Sequence, residues 1–373
     1  MNITNKNQLL ELKNNKFIGK PPELINSSIN FTGENNILVC EENVVLKNSR
    51  IDFNLNNSIL YLSSNSYEYL MNISLHNNNV CFIGKNNYFN GLTTIVLSEE
   101  KNLTVGSDCL LSYNVIFRVA DPHLIYDTKT KKRLNYTKSI HIGDHVWIGQ
   151  NAKIFKGCDI GSGSIIGAGS ILTNKKIPSN TAYAGNPAKL IKKNVFWQGY
   201  SVHGWDSKKT VSMAKYSIDE FNYAKNEETL NFELIEDSLN ACDSPEDVLK
   251  YIENNLIGDS KNRFFINENK TSVSPEEKLE QNKKYMENLE NKLSKNMEEI
   301  VEIKAELKKI KQIITTLKTS NEKIKEENKY LKQSNIRLSK LSGAALFRPL
   351  GGRRESEERR VGKECRSRWS PYH

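Results

Sequence analysis

The sequence predicts a parallel β-helix that is followed by a short helical region and a long α-helical coiled coil. An aliphatic residue recurs at every sixth position from Ile142 to Leu172, Gly, Asn and Asp are frequent between them, and apolar heptads run from Leu279 to Leu338. A six-residue period matches neither the 3.6-residue period of a helix nor the two-residue period of a simple strand. It fits a coil in which three short strands alternate with three tight corners.

The central repeat places one aliphatic residue inside on each strand and a flexible residue at each corner. Glycine follows four of the six repeat residues, and glycine tolerates the positive φ that a tight corner requires. Three hexads complete one turn, so we expect Ile142 to stack on Ile160, and Ile148 on Ile166, about 4.8 Å apart. The repeat residues are Ile142, Ile148, Ile154, Ile160, Ile166 and Leu172.

Three motifs in this stretch resemble a known family. They are IGDHVWIG at Ile142–Gly149, IGAGS at Ile166–Ser170 and AGNPAK at Ala184–Lys189. Together they resemble the left-handed β-helix hexapeptide acyltransferases, and within these the bacterial capsule O-acetyltransferases, including those that modify polysialic acid. The left hand is implied by the resemblance alone, since parallel strands usually connect by a right-handed crossover. The resemblance implies an acetyl-CoA-dependent O-acetyltransferase that acts on a bacterial surface glycan.

The chain before this repeat is less regular. Residues 1–36 are predicted to be a polar, Asn-rich lead-in, and the β-helix domain is predicted for residues 37–197. A six-residue step is detectable upstream of the central repeat, but it is lost between Ser63 and Leu75. We interpret this part as irregular outer coils of the same solenoid. A separate small β cap, which would shield the open end of the helix, is the alternative.

An excursion loop at residues 118–139 interrupts the repeat and carries the candidate catalytic base. Loops on rigid scaffolds are frequent sites of function, and this one begins with Asp121, Pro122 and His123. A sugar hydroxyl needs a base before it can attack a thioester, and a histidine can take the proton and return it to the leaving thiolate. The resemblance also implies a catalytic His at this place. Asp121 could hold the imidazole of His123 in one tautomer, as could a backbone carbonyl.

Trp147 is predicted at an outward corner of its hexad, where an exposed tryptophan needs an explanation. In the polysialic acid O-acetyltransferases that the chain resembles, a tryptophan in the matching VWIG motif lies beside the acetyl-CoA sulfur and is required together with the His. An indole N–H can only donate a hydrogen bond, which suits a developing negative charge. Packing at a subunit interface is the alternative role, and the two roles are compatible.

The remaining candidate residues are expected to contact acetyl-CoA. Ala168 and Gly169 are small enough to let the pantetheine arm lie close to the backbone. The resemblance implies that the AGNPAK segment also lies against the cofactor, with lysines near its phosphates, although a solvated face is the default interpretation of lysines alone. The candidate cofactor-binding residues are Trp147, Ala168, Gly169, Ala184, Gly185, Asn186, Lys189 and Lys192.

Three alternative functions were weighed. The γ-class carbonic anhydrases share this fold and bind zinc through three histidines, but the spacing of His141 and His145 differs from theirs, so no metal site is predicted and His145 is expected at a corner. An N-acetyltransferase for an amino sugar would use the same base and groove. A non-enzymatic scaffold that carries the coiled coil is disfavoured, because His123, Trp147 and the AGNPAK segment are intact.

The composition changes after residue 197. Residues 198–274 are predicted to contain two or three short helices over Ile218–Ala224 and Phe232–Leu256, with a helix start at Ser244 before Pro245. Residues 275–342 are predicted to form a coiled coil for assembly or for docking a protein partner, and a run of Asn at one heptad position favours two strands. Residues 343–373 resemble a translated sequencing adapter and are left out of the fold prediction.

Charge and composition restrict the partners. Of the formal net charge of +9, the tail at 343–373 contributes eight Lys and Arg against four Asp and Glu, which leaves +5 for the rest. This mild charge suits anionic ligands but gives no indication of nucleic-acid binding. No apolar signal core, no apolar run of about eighteen residues and no CxxC spacing is found, so we expect a reduced, cytoplasmic protein without a transmembrane segment. The resemblance implies a homotrimer.

Overall fold

The structure, a computed structural model, describes residues 1–227, 229–258, 260–267 and 275–342. Within these ranges the chain forms 24 strands, a 3-10 helix at Lys6–Glu11, four α-helices and a π-helical turn at Ile252–Leu256. The α-helices are α1 (Ser207–Ser212), α2 (Phe232–Asn240), α3 (Pro245–Tyr251) and α4 (Pro275–Ser342). The strands are β1 (Asn2–Ile3), β2 (Lys16–Gly19), β3 (Glu23–Ile25), β4 (Ser28–Phe31), β5 (Ile37–Cys40), β6 (Val45–Lys47), β7 (Arg50–Phe53), β8 (Ile59–Leu62), β9 (Met71–Leu75), β10 (Val80–Ile83), β11 (Tyr88–Phe89), β12 (Thr93–Val96), β13 (Leu103–Val105), β14 (Leu110–Leu111), β15 (Ile116–Arg118), β16 (Ile140–Ile142), β17 (Trp147–Ile148), β18 (Lys153–Phe155), β19 (Asp159–Ile160), β20 (Ile165–Ile166), β21 (Ile171–Leu172), β22 (Lys176–Ile177), β23 (Thr181–Gly185) and β24 (Ala188–Lys193).

Most of these strands form the three faces of a parallel β-helix. Sheet 1 contains β1, β4, β7, β9, β12, β15, β18 and β21, sheet 2 contains β2, β5, β8, β10, β13, β16, β19 and β22, and sheet 3 contains β11, β14, β17, β20, β23 and β24. From β10 to β21 the chain passes repeatedly through sheet 2, sheet 3 and sheet 1 in that order. The predicted stacking is confirmed, because Ile142 pairs with Ile160 and Ile148 with Ile166 in parallel register.

The solenoid begins earlier than the sequence analysis placed it. Residues 1–36, the expected lead-in, contain β1 to β4, and β2 pairs in parallel with β5. Upstream turns are longer than the central ones, since Ile37 pairs with Ile59, 22 residues later, whereas His141 pairs with Asp159, 18 residues later. The longer turns explain why the six-residue period is weak upstream. Strand β9 lies in sheet 1, so this part belongs to the solenoid rather than to a separate cap.

Asparagine forms many of the corners in the first half of the solenoid. Asn35 and Asn57 adopt φ values of 55° and 61°, a left-handed conformation that Asn accepts more readily than most residues. The amide of Asn35 donates to Oδ1 of Asn57 at 2.8 Å, and the amide of Asn114 donates to Asn151 at 3.0 Å. The same residue type therefore makes the corner and joins it to the next turn.

The segment after the solenoid, here called the clasp (residues 194–227, 229–258 and 260–267), is only partly helical. Helix α3 begins as predicted, with Ser244 accepting from the N–H of Asp247 and Pro245 in the first turn. The helix expected at Ile218–Ala224 is wrong, because this stretch is irregular. Its backbone is held instead by the buried side chain of Asn180, which donates to the carbonyl of Phe221 at 2.8 Å.

Helices α2 and α3 cover the outer face of sheet 2. Phe232 and Leu249 belong to an apolar cluster with Val39, Tyr61 and Phe82 of the sheet. This cluster is separate from the aliphatic core inside the solenoid. One face of the β-helix is therefore covered by a later segment of the same chain. The repeat pattern did not predict this feature.

A buried ion pair fastens the clasp to the solenoid. Arg263 is 4% exposed, and its guanidinium donates to both carboxylate oxygens of Asp144, at 2.8 Å and 2.7 Å. It also donates to the carbonyls of Leu256 and Gly258, each at 2.7 Å. With a further hydrogen bond from Nη2 to the hydroxyl of Ser107 at 3.0 Å, all five donors of the buried guanidinium are satisfied.

Helix α4 belongs to a different structural unit. The chain divides into Met1–Leu279 and Glu280–His373, and α4 occupies the described part of the second unit. Its heptad residues Ile303 and Ile310 are 56% and 51% exposed in the single chain, so pairing as a coiled coil stays a prediction. No helix in the described ranges has both the length and the apolar character that a membrane crossing requires. The suspected foreign tail at 343–373 lies outside the described residues.

We expect Arg263→Ala to destabilise the first unit strongly. The substitution leaves the Asp144 carboxylate largely buried without its cation, and breaking such a pair from one side costs about 3–5 kcal/mol. The midpoint of thermal unfolding, followed by circular dichroism, measures the loss. Lys261→Ala is the control, because Lys261 is an exposed neighbour. Equal midpoints for the two variants would show that the ion pair does not fasten the clasp.

Candidate active site

The excursion loop folds as a hairpin that stands off the corner between sheets 1 and 2. It leaves β15 after Arg118 and returns at β16. Tyr126 bridges Arg133 in antiparallel fashion, and the tip is closed by Asp127, whose carboxylate accepts from the N–H of Thr130 at 2.6 Å. The hairpin therefore occupies the residues between Arg118 and Ile140.

The side chain of Asn135 organises the base of this hairpin. It is 7% exposed, and its amide donates to the carbonyl oxygen of His123 at 2.7 Å and to Oδ2 of Asp121 at 3.2 Å. Its Oδ1 accepts from the N–H of Ile125 at 2.9 Å. Both strands of the hairpin are joined through one amide, and the backbone of His123 is fixed as a result. Asn135 was not among the predicted site residues, because a lone Asn in a loop carries no spacing signal.

Asp121 does not take the role that the sequence analysis considered for it. Its Oδ2 accepts from Nζ of Lys156 at 2.5 Å and from Asn135, rather than from the imidazole of His123. The hydrogen bond from Lys156 holds the pKa of Asp121 below its usual value. Asp121 is therefore linked to His123 through Asn135, which bonds to the Asp121 carboxylate and to the His123 carbonyl.

A second ionic contact fixes the returning strand of the hairpin. The guanidinium of Arg133 donates to both oxygens of Glu99, at 2.8 Å and 2.9 Å, and the hydroxyl of Thr137 also donates to Glu99. These hydrogen bonds lower the pKa of Glu99 to about 2. The carboxylate is ionised at neutral pH, and the hairpin is tied to the turn below it.

The imidazole of His123 is exposed at the base of this hairpin, as expected for a residue that meets a substrate. Trp147 lies on β17 with its side chain on the outer face of sheet 3, between Leu110 and Ile165 in register. This position corrects the predicted corner, because the corner is formed by His145 with φ of 53°. The indole is 39% exposed, and its N–H lies 3.4 Å from the hydroxyl of Ser112.

The candidate cofactor residues lie around sheet 3 and the corner that follows it. Register places Trp147, Ile165 and Ala182 in one row, and Ala182 pairs with Lys192 on the last strand. At the corner, a Cβ added to Gly169 would meet no atom within 4 Å, so open space lies beside its backbone. A row of outward-facing residues thus leads from the indole, past the half-buried Ile165 and Ala182, to an exposed lysine, across strands about 4.8 Å apart.

The AGNPAK segment forms the turn between β23 and β24. Ala184 pairs with Lys189 across this hairpin, and Gly185 adopts a φ of 106°. The N–H of Gly185 donates to the hydroxyl of Ser170 at 3.1 Å, which joins the turn to the corner below it. Gly185, Asn186 and Lys189 are exposed, so they are available to a ligand.

The structure does not bring His123 and Trp147 to one edge of the single chain. His123 stands at the corner between sheets 1 and 2, whereas Trp147, Ala168 and Gly185 belong to sheet 3 and to the corner between sheets 3 and 1. The width of sheet 1 separates the two groups. A site that uses both must take them from different copies of the chain or depend on the reach of the hairpin.

Two aromatic rings of the clasp enclose His145. The imidazole stacks on Trp197, with ring centroids 4.1 Å apart, and on Phe221, with ring centroids 4.0 Å apart. In both pairs the ring planes are nearly parallel. Nε2 of His145 lies 3.1 Å from the Trp197 carbonyl, and the indole N–H of Trp197 donates to the His145 carbonyl at 2.8 Å. Trp197 also approaches Trp147, with ring centroids 6.2 Å apart. No pattern in the sequence predicted the contact between His145 and Trp197, which lie 52 positions apart.

The three histidines of the zinc alternative have different partners. Nδ1 of His141 lies 2.8 Å from the hydroxyl of Thr104, and its Nε2 lies at a longer 3.5 Å from Glu236 of α2. His145 is enclosed by the clasp, and His123 lies on the excursion hairpin. Among the described residues no group of three or more His, Cys, Asp or Glu side chains is arranged to hold a metal ion. The alternative therefore gains no support from their arrangement.

We expect His145→Asn to lower thermal stability. Asn accepts the φ of 53° at this corner, so the backbone is preserved while both stacking contacts are lost. Aromatic pairs are worth about 0.5–1.5 kcal/mol each beyond their buried area. A measurable fall in the unfolding midpoint is expected, and His203→Asn is the control because His203 is exposed. An unchanged unfolding midpoint in His145→Asn would show that the aromatic stacking does not contribute to stability.

The same contact predicts a pH dependence. Burial lowers the pKa of His145 below its ordinary value of 6.5, so the folded chain binds this proton less readily than the unfolded chain. The contribution of His145 is fully present above about pH 6.5 and is lost as the pH falls below that value. The midpoint should therefore decline less steeply between pH 7 and pH 5.5 in His145→Asn than in the wild type.

Known proteins resemble both the repeat and a larger part of the chain. The bacterial transferase hexapeptide family (six repeats) matches residues 139–174. A polysialic acid O-acetyltransferase of Neisseria meningitidis is 31% identical over 198 residues, which cover 52% of this chain and 81% of that protein. One of Escherichia coli O1:K1 / APEC is 48% identical over 102 residues, or 27% of this chain and 33% of that protein. The crystal structure of the polySia specific acetyltransferase NeuO is 33% identical with a TM-score of 0.46, and the match covers 54% of this chain and 94% of that one.

Proposed function

This chain belongs to the hexapeptide-repeat acetyltransferases, and we propose that it transfers an acetyl group from acetyl-CoA to a sugar hydroxyl of a bacterial surface polysaccharide. The acceptor would be a capsule, polysialic acid or an O-antigen. The similarity to the Neisseria meningitidis enzyme carries this proposal, because it extends over most of that protein. Since acetyl-CoA is made in the cytoplasm, we propose that the reaction takes place there.

In the proposed mechanism His123 is the general base. Its exposed imidazole takes the proton of the acceptor hydroxyl, and the oxygen attacks the thioester carbonyl directly. When the tetrahedral intermediate collapses, the imidazolium returns the proton to the departing thiolate of CoA. The hydrogen bond from Asn135 to the His123 carbonyl supports this role, because it fixes the backbone that presents the imidazole.

Trp147 and the row of outward-facing residues on sheet 3 would bind the acetyl donor. The indole N–H is the donor that could stabilise developing negative charge at the thioester. The pantetheine arm would cross the row toward Lys192, with Ala168 and Gly169 beside it and the Ala184–Lys189 turn near the phosphates. The space beside Gly169 and the exposure of both lysines fit a ligand that has a narrow arm and an anionic end.

The separation of His123 from Trp147 within one chain supports a homotrimer as the active form. In a closed ring each chain presents one surface to one neighbour and a different surface to the other. A His123 hairpin from one copy could thus meet the sheet 3 row of the next copy. The compact unit Met1–Leu279 contains both surfaces, so assembly of the site would not require α4.

We expect His123→Ala to lower turnover by about 10²–10⁴ while acetyl-CoA still binds, since it removes only the proton acceptor. Incubation with acetyl-CoA and a panel of bacterial glycans, followed by free thiol release and acceptor mass, measures turnover. Equilibrium binding of CoA measures the retained affinity. His203→Ala is the matched control, because it removes another exposed imidazole.

Two results would contradict the proposal. If wild-type protein releases thiol with none of the glycans, the proposed substrate class is wrong. If the wild type is active and His123→Ala keeps more than about a tenth of its turnover, the base lies elsewhere.

Co-assembly of two inactive variants tests whether the site is shared between copies. His123→Ala and Trp147→Ala chains with different tags are produced together, and the mixed trimers are isolated. If neighbouring copies supply the two residues, an intact pair is restored at about one third of the sites of the mixed trimers. Turnover should rise correspondingly above that of either variant alone. No recovery in mixed trimers would show that both residues act within one chain.

A further inference from the structure

Helix α4 exposes an apolar stripe over the part whose side chains the structure describes. Leu307 is 50% exposed, Ile310 51%, Ile314 46% and Leu317 63%. These residues recur at alternating steps of three and four, which are the a and d positions of a heptad. A helix in water gains most of its stability from packing an apolar face, so this stripe requires a partner.

We propose that this partner is the α4 helix of further copies of the same chain, aligned in parallel and in register. The charges beside the stripe determine the direction of the pairing. The asparagines within the stripe determine its register.

The charges beside the stripe disfavour an antiparallel pair of identical helices. The e positions directly follow the d positions, and in an antiparallel pair they face one another. Five successive e positions hold lysine, so an antiparallel arrangement would align two columns of like charge, which is unfavourable. These residues are Lys304, Lys311, Lys318, Lys325 and Lys332.

A parallel pair brings opposite charges together. In that arrangement each g position faces the e position of the next heptad on the partner. Glu306 then meets Lys311, and Glu327 meets Lys332. The g positions between them carry uncharged residues, so no like charges meet there. An acidic helix from another protein would form ion pairs with the lysines, but its carboxylates would repel those of Glu306 and Glu327.

The register follows from three successive a positions that hold asparagine. They are Asn321, Asn328 and Asn335, and the a position before them is Ile314. A shift by one heptad would set the amide of Asn321 on one helix against the aliphatic side chain of Ile314 on the other. A buried polar group without a partner costs about 1–3 kcal/mol. Alignment in register lets each asparagine bond to its counterpart.

Disulfide formation in the full chain tests direction and register together. Ile324→Cys, in a Cys365→Ser background, places a thiol at a d position that faces itself only in a parallel, in-register pair. A disulfide requires Cα atoms within about 7 Å, so mild oxidation should link most chains in pairs. Glu326→Cys is the control, because it lies at an f position on the far side of the helix. Absence of the link in Ile324→Cys, or equal linking in both variants, would overturn the proposal.

Charge reversal in the Ile324→Cys protein tests the role of the flanking charges. Glu306→Lys with Glu327→Lys should reduce the linked fraction several-fold at low salt, and adding Lys311→Glu with Lys332→Glu should restore it. Glu302→Lys, at an outward c position, is the control for net charge. If the double lysine variant links as fully as this control, the charges do not select the partner and the proposal fails.

Discussion

The stacking of one inward aliphatic residue per strand is the interaction on which the rest of the molecule depends. Ile142, Ile148, Ile154 and Ile160 have no exposed surface, and each lies above or below an apolar residue of the neighbouring turn. A fully buried aliphatic side chain contributes about 1.5–3 kcal/mol. Because the inside of each turn is occupied in this way, corners and outward positions are left to carry other groups.

The excursion hairpin is an insertion at a corner that leaves the stacked aliphatic core intact. Leu103 and Ile140 are neighbours in register although 37 residues separate them, so the insertion does not disturb the stack. The entropy of closing a loop grows slowly with its length. The ordering of the hairpin comes instead from two ion pairs, Glu99 to Arg133 and Asp121 to Lys156, and from the amide of Asn135. The proposed base thus lies on an insertion with supports of its own.

The clasp stabilises the fold through contacts with the same motif that carries Trp147, the proposed donor-binding residue. Asp144 holds Arg263, His145 is enclosed by Trp197 and Phe221, and Trp147 lies next to Trp197. Asp144, His145 and Trp147 all belong to one motif of eight residues, and only the indole is substantially exposed. A single corner and its strand thereby attach the clasp and present a candidate binding residue.

The sequence by itself determined the three-stranded coil, the stacking of Ile142 on Ile160, the excursion before His141 and the start of α3 at Ser244. These features depend on local periodicity, turn chemistry and capping, which are determined by residues that are close together in the sequence. Only the tertiary structure decided that Asp121 pairs with Lys156, that Asn135 holds the backbone of His123 and that His145 lies between two rings. Those contacts join residues that are distant along the chain, and their partners depend on how long turns and an irregular segment pack in space. The repeat pattern of the sequence therefore cannot predict these long-range contacts.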